Sequence, residues 1–128
     1  MTLSSAVRIS LWISAPANLI VATAIAFPSS SLGSLLELPE THPFYGMLSG
    51  AMVGLFGVAY GWLALQPGID RPLLCLGVCG KLLAVLISIS LFMAGELSVV
   101  TAAAISGDLV FVVLWSAFLY SSRSRRGA

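Results

Sequence analysis

Residues 72–120 read PLLCLGVCGKLLAVLISISLFMAGELSVVTAAAISGDLVFVVLWSAFLY, two long apolar runs separated by a short break at Ala94, Gly95 and Glu96. Each run is long enough to cross a hydrocarbon core of about 30 Å at about 1.5 Å per helical residue. Lys81 stands near the middle of the first run and Asp108 near the middle of the second. An isolated charge at that depth costs about 2.5–3.5 kcal/mol on insertion scales. In a hairpin that reverses near Gly95 the two side chains fall at equal depth, and pairing makes both tolerable. The stretch therefore predicts two antiparallel membrane helices clamped by an ion pair.

The rest of the chain extends this pattern. Of 128 residues, 59% are hydrophobic and 9% charged, and the mean hydropathy is +1.04, values of an integral membrane protein rather than a soluble domain. Spans are expected at roughly 7–27, 44–65, 72–93 and 99–120, so the expected fold is all-α, a single four-transmembrane-helix domain with up-down topology. Short connections around Pro67, Gly68 and Pro72 and around Gly95 predict that the second, third and fourth spans are sequential antiparallel neighbours.

Charge placement gives an orientation. Arg8, Arg71, Arg123, Arg125 and Arg126 flank one set of span ends, whereas the first and third connections contain no Lys or Arg. Basic residues near span ends stay on the cytoplasmic side. Both termini are thus expected in the cytoplasm of a cell with an inner membrane, with Glu37, Glu40, His42 and Glu96 outside and the tail arginines meeting anionic lipid heads. Trp12, Trp62 and Trp115, with Tyr60 and Tyr120, fall toward the same ends and read as an interfacial aromatic belt. The first span, although Ala24, Ile25 and Ala26 imitate a signal-peptide cleavage site, is read as retained, because its apolar run is long for such a segment.

Several features bear on packing and on a site. Gly46, Gly50, Gly54, Gly57 and Gly61 recur every three or four residues along the second span, a nearly bare helix face against which another helix must pack closely. Asn18 in the first span lies at the depth of Lys81 and Asp108 and can add a hydrogen bond to the pair, with Ser88, Thr101 and Ser106 extending a polar core. Pro16 is expected to bend the first helix and free a carbonyl. Cys75 and Cys79, four apart on one helix, read as small buried packing residues rather than as a disulfide or metal site. His42 reads as a surface or capping residue. The long connection 28–43 is expected to hold a short interfacial helix capped by Ser31 and ended by Pro39, either resting on lipid or acting as a lid over an external opening.

The Lys81/Asp108 pair supports two readings, a register-fixing clamp or a proton-coupled or ligand-binding centre. Three molecular functions follow. The first is a non-enzymatic accessory or interaction subunit that holds a lipid or other apolar ligand, anchored on Lys81, Asp108 and Asn18, within a larger membrane complex or a homo-oligomer. The second is a small oligomeric proton-coupled transporter using the pair. The third is a membrane enzyme acting on a lipid or quinone, for which Lys81, Asp108 and Cys75 define no nucleophile and base. No cofactor, catalytic residue or nucleic-acid partner is expected.

FYGMLSG at 44–50, RPLLCLGVCGK at 71–81 and GDLVF at 107–111 resemble the last three helices of the small four-helix bacterial membrane proteins of the DoxX-like kind. The resemblance implies the four-helix architecture and an accessory role, and it carries over no catalytic residue. Small multidrug exporters depend on a glutamate within the first helix, where this chain has Asn18 and no acid. Fluoride channels insert in both orientations, which the one-sided arginines here oppose.

Overall fold

The computed structural model describes residues 1–124, with side chains through Ser121. The chain forms helices α1 (Leu3–Ala26), α2 (Ser31–Leu35), α3 (Pro43–Leu65), α4 (Arg71–Met93), α5 (Val99–Ser106) and α6 (Leu109–Ser124). α1, α3 and α4 are each long and apolar enough to cross a membrane, and α5 with α6 supplies the fourth such segment over Val99–Ser121. Among the described residues there is no strand.

Local chemistry sets the helix ends. The side chains of Thr2, Ser30, Asp70 and Ser98 accept backbone N–H groups of the turns that they open, and Pro43 and Pro72 occupy first-turn positions where a missing N–H costs nothing. His42 caps α3, its Nδ1 accepting from the Phe44 N–H at 3.3 Å. The cap of α2 is Ser30, one residue before the serine expected, and α2 ends at Leu35, short of Pro39. α4 stops where Gly95 takes a φ of +77°. The Gly95 N–H donates to Phe92 O and the Glu96 N–H to Leu91 O, a Schellman ending that only a residue tolerant of left-handed backbone closes cheaply.

The packing departs from a simple ring of sequential neighbours. α3 turns its glycine face to α1, the most intimate pair in the bundle, while α3 and α4 touch only lightly. A Cβ at Gly50 would lie 2.6 Å from Ala22 O, at Gly57 3.0 Å from Ala15 O and at Gly46 3.2 Å from Ile25 O. Gly54 and Gly61 are looser, their nearest atoms being alanine methyls at 3.6 and 3.8 Å. α4 packs on α5 and α6, and the two hairpins meet through α1 and α6. The second and third spans do touch, but through side chains, with the Tyr60 and Phe56 rings resting on Gly77 and Gly80, whereas α3 meets α1 backbone to backbone.

Arginines fasten the end of the bundle that carries the start of α1. Arg8 Nη1 donates to Ala64 O (2.7 Å) and Gln66 O (2.6 Å), and its Nη2 donates to Pro67 O (3.1 Å), covering the carbonyls left open where α3 ends. Arg71 Nη2 donates to Leu119 O at 2.7 Å. Arg125 and Arg126 lie outside the described residues, as does the side chain of Arg123.

Two sequence expectations fail on burial. Trp115 is fully buried and Tyr60 nearly so, in a core with Val7, Leu11, Leu63 and Leu74. Of the five aromatics expected at an interface, Trp12, Trp62 and Tyr120 are exposed. Cys75 and Cys79 are exposed rather than buried. They project from the side of α4 opposite Leu74, Gly77 and Lys81, the residues that it buries. Pro16, expected to bend α1, is exposed within a helix that continues unbroken.

Candidate functional site

The fourth membrane segment is broken at its centre. Ser106, Gly107 and Asp108 are all weak helix formers, and there the ladder slips. The Asp108 N–H donates to Ile105 O and the Val110 N–H to Gly107 O, each one residue short of the α-helical partner. This break divides α5 from α6 and sets Asp108 at the start of α6, where the helix dipole favours a carboxylate.

Lys81 meets it from α4. Its Nζ lies 2.6 Å from Asp108 Oδ1 and 3.4 Å from Asn18 Oδ1, while Asn18 Nδ2 donates to Val53 O at 3.3 Å. Lys81, Asp108 and Asn18 are therefore brought together. The exposure of the ion pair is unequal, 3% for the lysine side chain and 30% for the aspartate.

An aromatic box offsets the desolvation of the ammonium. Lys81 Nζ lies 5.0 Å from the ring centre of Phe111, 5.3 Å from that of Tyr60 and 5.8 Å from that of Trp115, within the range where a ring face attracts a cation. Tyr60 and Trp115 themselves meet edge to face, with centroids 5.0 Å apart. Gly77 makes the box possible, since a Cβ there would lie 2.9 Å from Tyr60 Cε1 and 3.3 Å from Trp115 Cζ3.

Asp108 opens onto a cavity of about 480 Å³ between the two hairpins. Its walls are mostly apolar, with Val21, Met52, Phe56, Ala84 and Ile105 among them, and Asn18, Lys81 and Asp108 form its polar patch. Leu36 and Leu38, from the connection after α2, close the end of the cavity nearest Thr101. Thr101 holds them there. Its buried hydroxyl lies 2.7 Å from Leu36 O and 3.0 Å from Glu37 O. The connection thus packs into the bundle through Leu36 and Leu38, leaving Leu35 exposed.

Sequence reading missed the aromatic box and the helix break, and it left the connection 28–43 open between a lid and a segment resting on lipid. Only the break left a legible signal, the run Ser106, Gly107, Asp108. Of the polar residues expected to extend the core, Thr101 holds the lid and Ser88 is buried with no hydrogen-bond partner for its Oγ among the described residues. Ser106 does not line the cavity. The five glycines lie outside it as well, acting on α1.

No family model matches the chain, and neither a curated protein nor a solved structure matches it.

Proposed function

We propose that this chain is a non-enzymatic subunit of a cytoplasmic membrane that holds a lipid or other apolar ligand within its bundle. The observation that carries this reading is the apolar-walled cavity between the hairpins, ending on a half-open carboxylate. A site of a few hundred Å³ with apolar walls and few convergent polar groups is the usual form of a small-molecule pocket. An ion pair serving only as a clamp would be expected to sit in closed packing, whereas Asp108 is shared between Lys81 and open space. The arginines at one end of the bundle support cytoplasmic termini. The resemblance of residues 44–50, 71–81 and 107–111 to DoxX-like proteins is in keeping with an accessory role, and we propose a larger membrane complex or a homo-oligomer as its setting. Native mass spectrometry of the protein released from mild detergent tests the reading. A retained lipid-sized adduct or a partner subunit is expected, and a bare monomer in every preparation would refute it.

A second reading has one observation in its favour. Helices broken near midplane at an ionisable residue are characteristic of coupled transporters, and α5 and α6 part at Asp108. In that case flux in proteoliposomes follows a pH gradient and is lost in Asp108→Asn.

A further inference from the structure

We infer that the occupant of the cavity is a single-chain amphiphile with an uncharged, hydroxyl-bearing head, which enters from the bilayer between α3 and α4 past the ring of Phe56. This rests on the reading of the cavity as a ligand site and adds the chemical class and the route.

The more open member of the ion pair is an acceptor, since the aspartate is 30% exposed and the lysine 3%. The Lys81 ammonium is engaged by Asp108 Oδ1 and Asn18 Oδ1 and enclosed by three rings, and Asn18 Nδ2 is directed to Val53 O. Asp108 Oδ2 takes no hydrogen bond from any described side chain, although it belongs to the exposed member of the pair. A second acceptor arises at the helix break. The Asp108 N–H donates to Ile105 O, which removes the Ala104 carbonyl from the helical ladder on a turn that lines the cavity.

Charge narrows the choice further. The pair is already neutral, so a charged head finds no net opposite charge in the cavity and leaves water at a cost that one carboxylate oxygen does not offset. A neutral O–H donor satisfies Asp108 Oδ2 without that cost.

The route follows from the loose seam between the hairpins. On the outer side of α3 and α4 runs an apolar groove of about 350 Å³, bounded by Leu55, Leu73 and Leu76, which shares Met52, Phe56 and Tyr60 with the inner cavity. The Phe56 ring lies against the bare backbone of Gly80, where a Cβ would come within 3.0 Å of its Cζ. The Phe56 ring thus stands with Met52 and Tyr60 in the partition between the bilayer-facing groove and the cavity, and its rotation is the step proposed to join the two spaces. The inner volume suits a single chain and is too small for a two-chain phospholipid.

The test uses the whole 128-residue chain in mild detergent and three probes that share one acyl or alkyl chain: monooleoylglycerol, oleate and oleylamine. Native mass spectrometry is expected to show one monooleoylglycerol per chain, bound about tenfold tighter than either charged probe. Ala104→Phe and Ala17→Phe fill the cavity from opposite walls, and each is expected to abolish binding while melting as a folded protein. Phe56→Ala is expected to speed exchange of the bound probe about tenfold. Equal or tighter binding of oleate or oleylamine, still blocked by the filling variants, overturns the neutral head and leaves the ligand site standing. Unchanged exchange in Phe56→Ala overturns the route. Binding of none of the three, or binding indifferent to both filling variants, overturns the ligand site itself.

Discussion

Trp115 Nε1 donates a hydrogen bond of 2.7 Å to Ser10 Oγ across 105 positions of sequence, joining the first and last membrane segments inside the bundle. The Ser10 hydroxyl in turn lies 2.7 Å from Val7 O, so the indole ends a short buried chain of polar groups. In an apolar surrounding each such group left alone costs about 1–3 kcal/mol. The contact fixes the seam where the two hairpins meet and holds the indole that forms one wall of the box around Lys81.

Tryptophan quenching reports this burial. Trp12 is 50% and Trp62 64% exposed, whereas Trp115 is 0%. In nanodiscs containing brominated lipid, a protein that keeps only Trp115 is expected to retain most of its emission, and proteins that keep only Trp12 or only Trp62 to lose most of theirs. Equal quenching of all three would place Trp115 on the lipid face.

The glycine face divides into tight and loose positions. Gly50→Ala drives a methyl into the Ala22 carbonyl, which belongs to backbone and cannot move aside. We expect a loss of about 1–3 kcal/mol, outweighing the helix propensity that alanine contributes, about 1 kcal/mol. Gly54→Ala meets only a methyl at 3.6 Å and is expected to leave the melting temperature unchanged or raised. Equal losses from the two substitutions would mean that α1 does not press on this face.

The lid supplies a further expectation. Thr101→Val keeps the shape of the side chain and removes the hydroxyl that reaches Leu36 O and Glu37 O. Amide exchange over residues 32–38 is expected to quicken about tenfold, as for the loss of one hydrogen bond. Glu37 holds a φ of +50° at the end of α2, a conformation that costs a residue with a Cβ about 1–2 kcal/mol. Glu37→Gly is therefore expected to slow the same exchange, and faster exchange would show that the glutamate side chain holds the lid.

Arg8 is expected to act as a staple between helices. Arg8→Met removes bonds to three carbonyls at the end of α3 and should cost about 1–3 kcal/mol in a thermal unfolding series. A neutral outcome would confine Arg8 to setting orientation.

What the sequence makes legible follows from the range of the interactions. The four apolar runs and the depth of Lys81 and Asp108 depend on hydropathy and on counting along a hairpin, both local, and the structure contains those helices and that ion pair. Trp115 is misread from sequence because position along a span gives depth but not the side of the helix. The same ambiguity hides the exposure of Cys75 and Cys79. The preference of α3 for α1 over α4 depends on backbone approach at Gly46, Gly50 and Gly57, which no spacing rule assigns to one neighbour. The cavity results from that choice, so its walls could not be assigned before the helix pairs were known, and the connection 28–43 stayed open between a lid and a segment on lipid.

Everything proposed for the site requires Lys81 and Asp108 to act as one unit within the apolar interior. A double-mutant cycle with Lys81→Met, Asp108→Asn and the combined protein, followed by unfolding in mild detergent, measures that directly. Each single substitution is expected to cost about 3–5 kcal/mol by stranding a buried charge. The combined protein is expected to fall short of the sum by about 1 kcal/mol or more. Strictly additive losses would contradict the coupling and remove the polar anchor from the cavity.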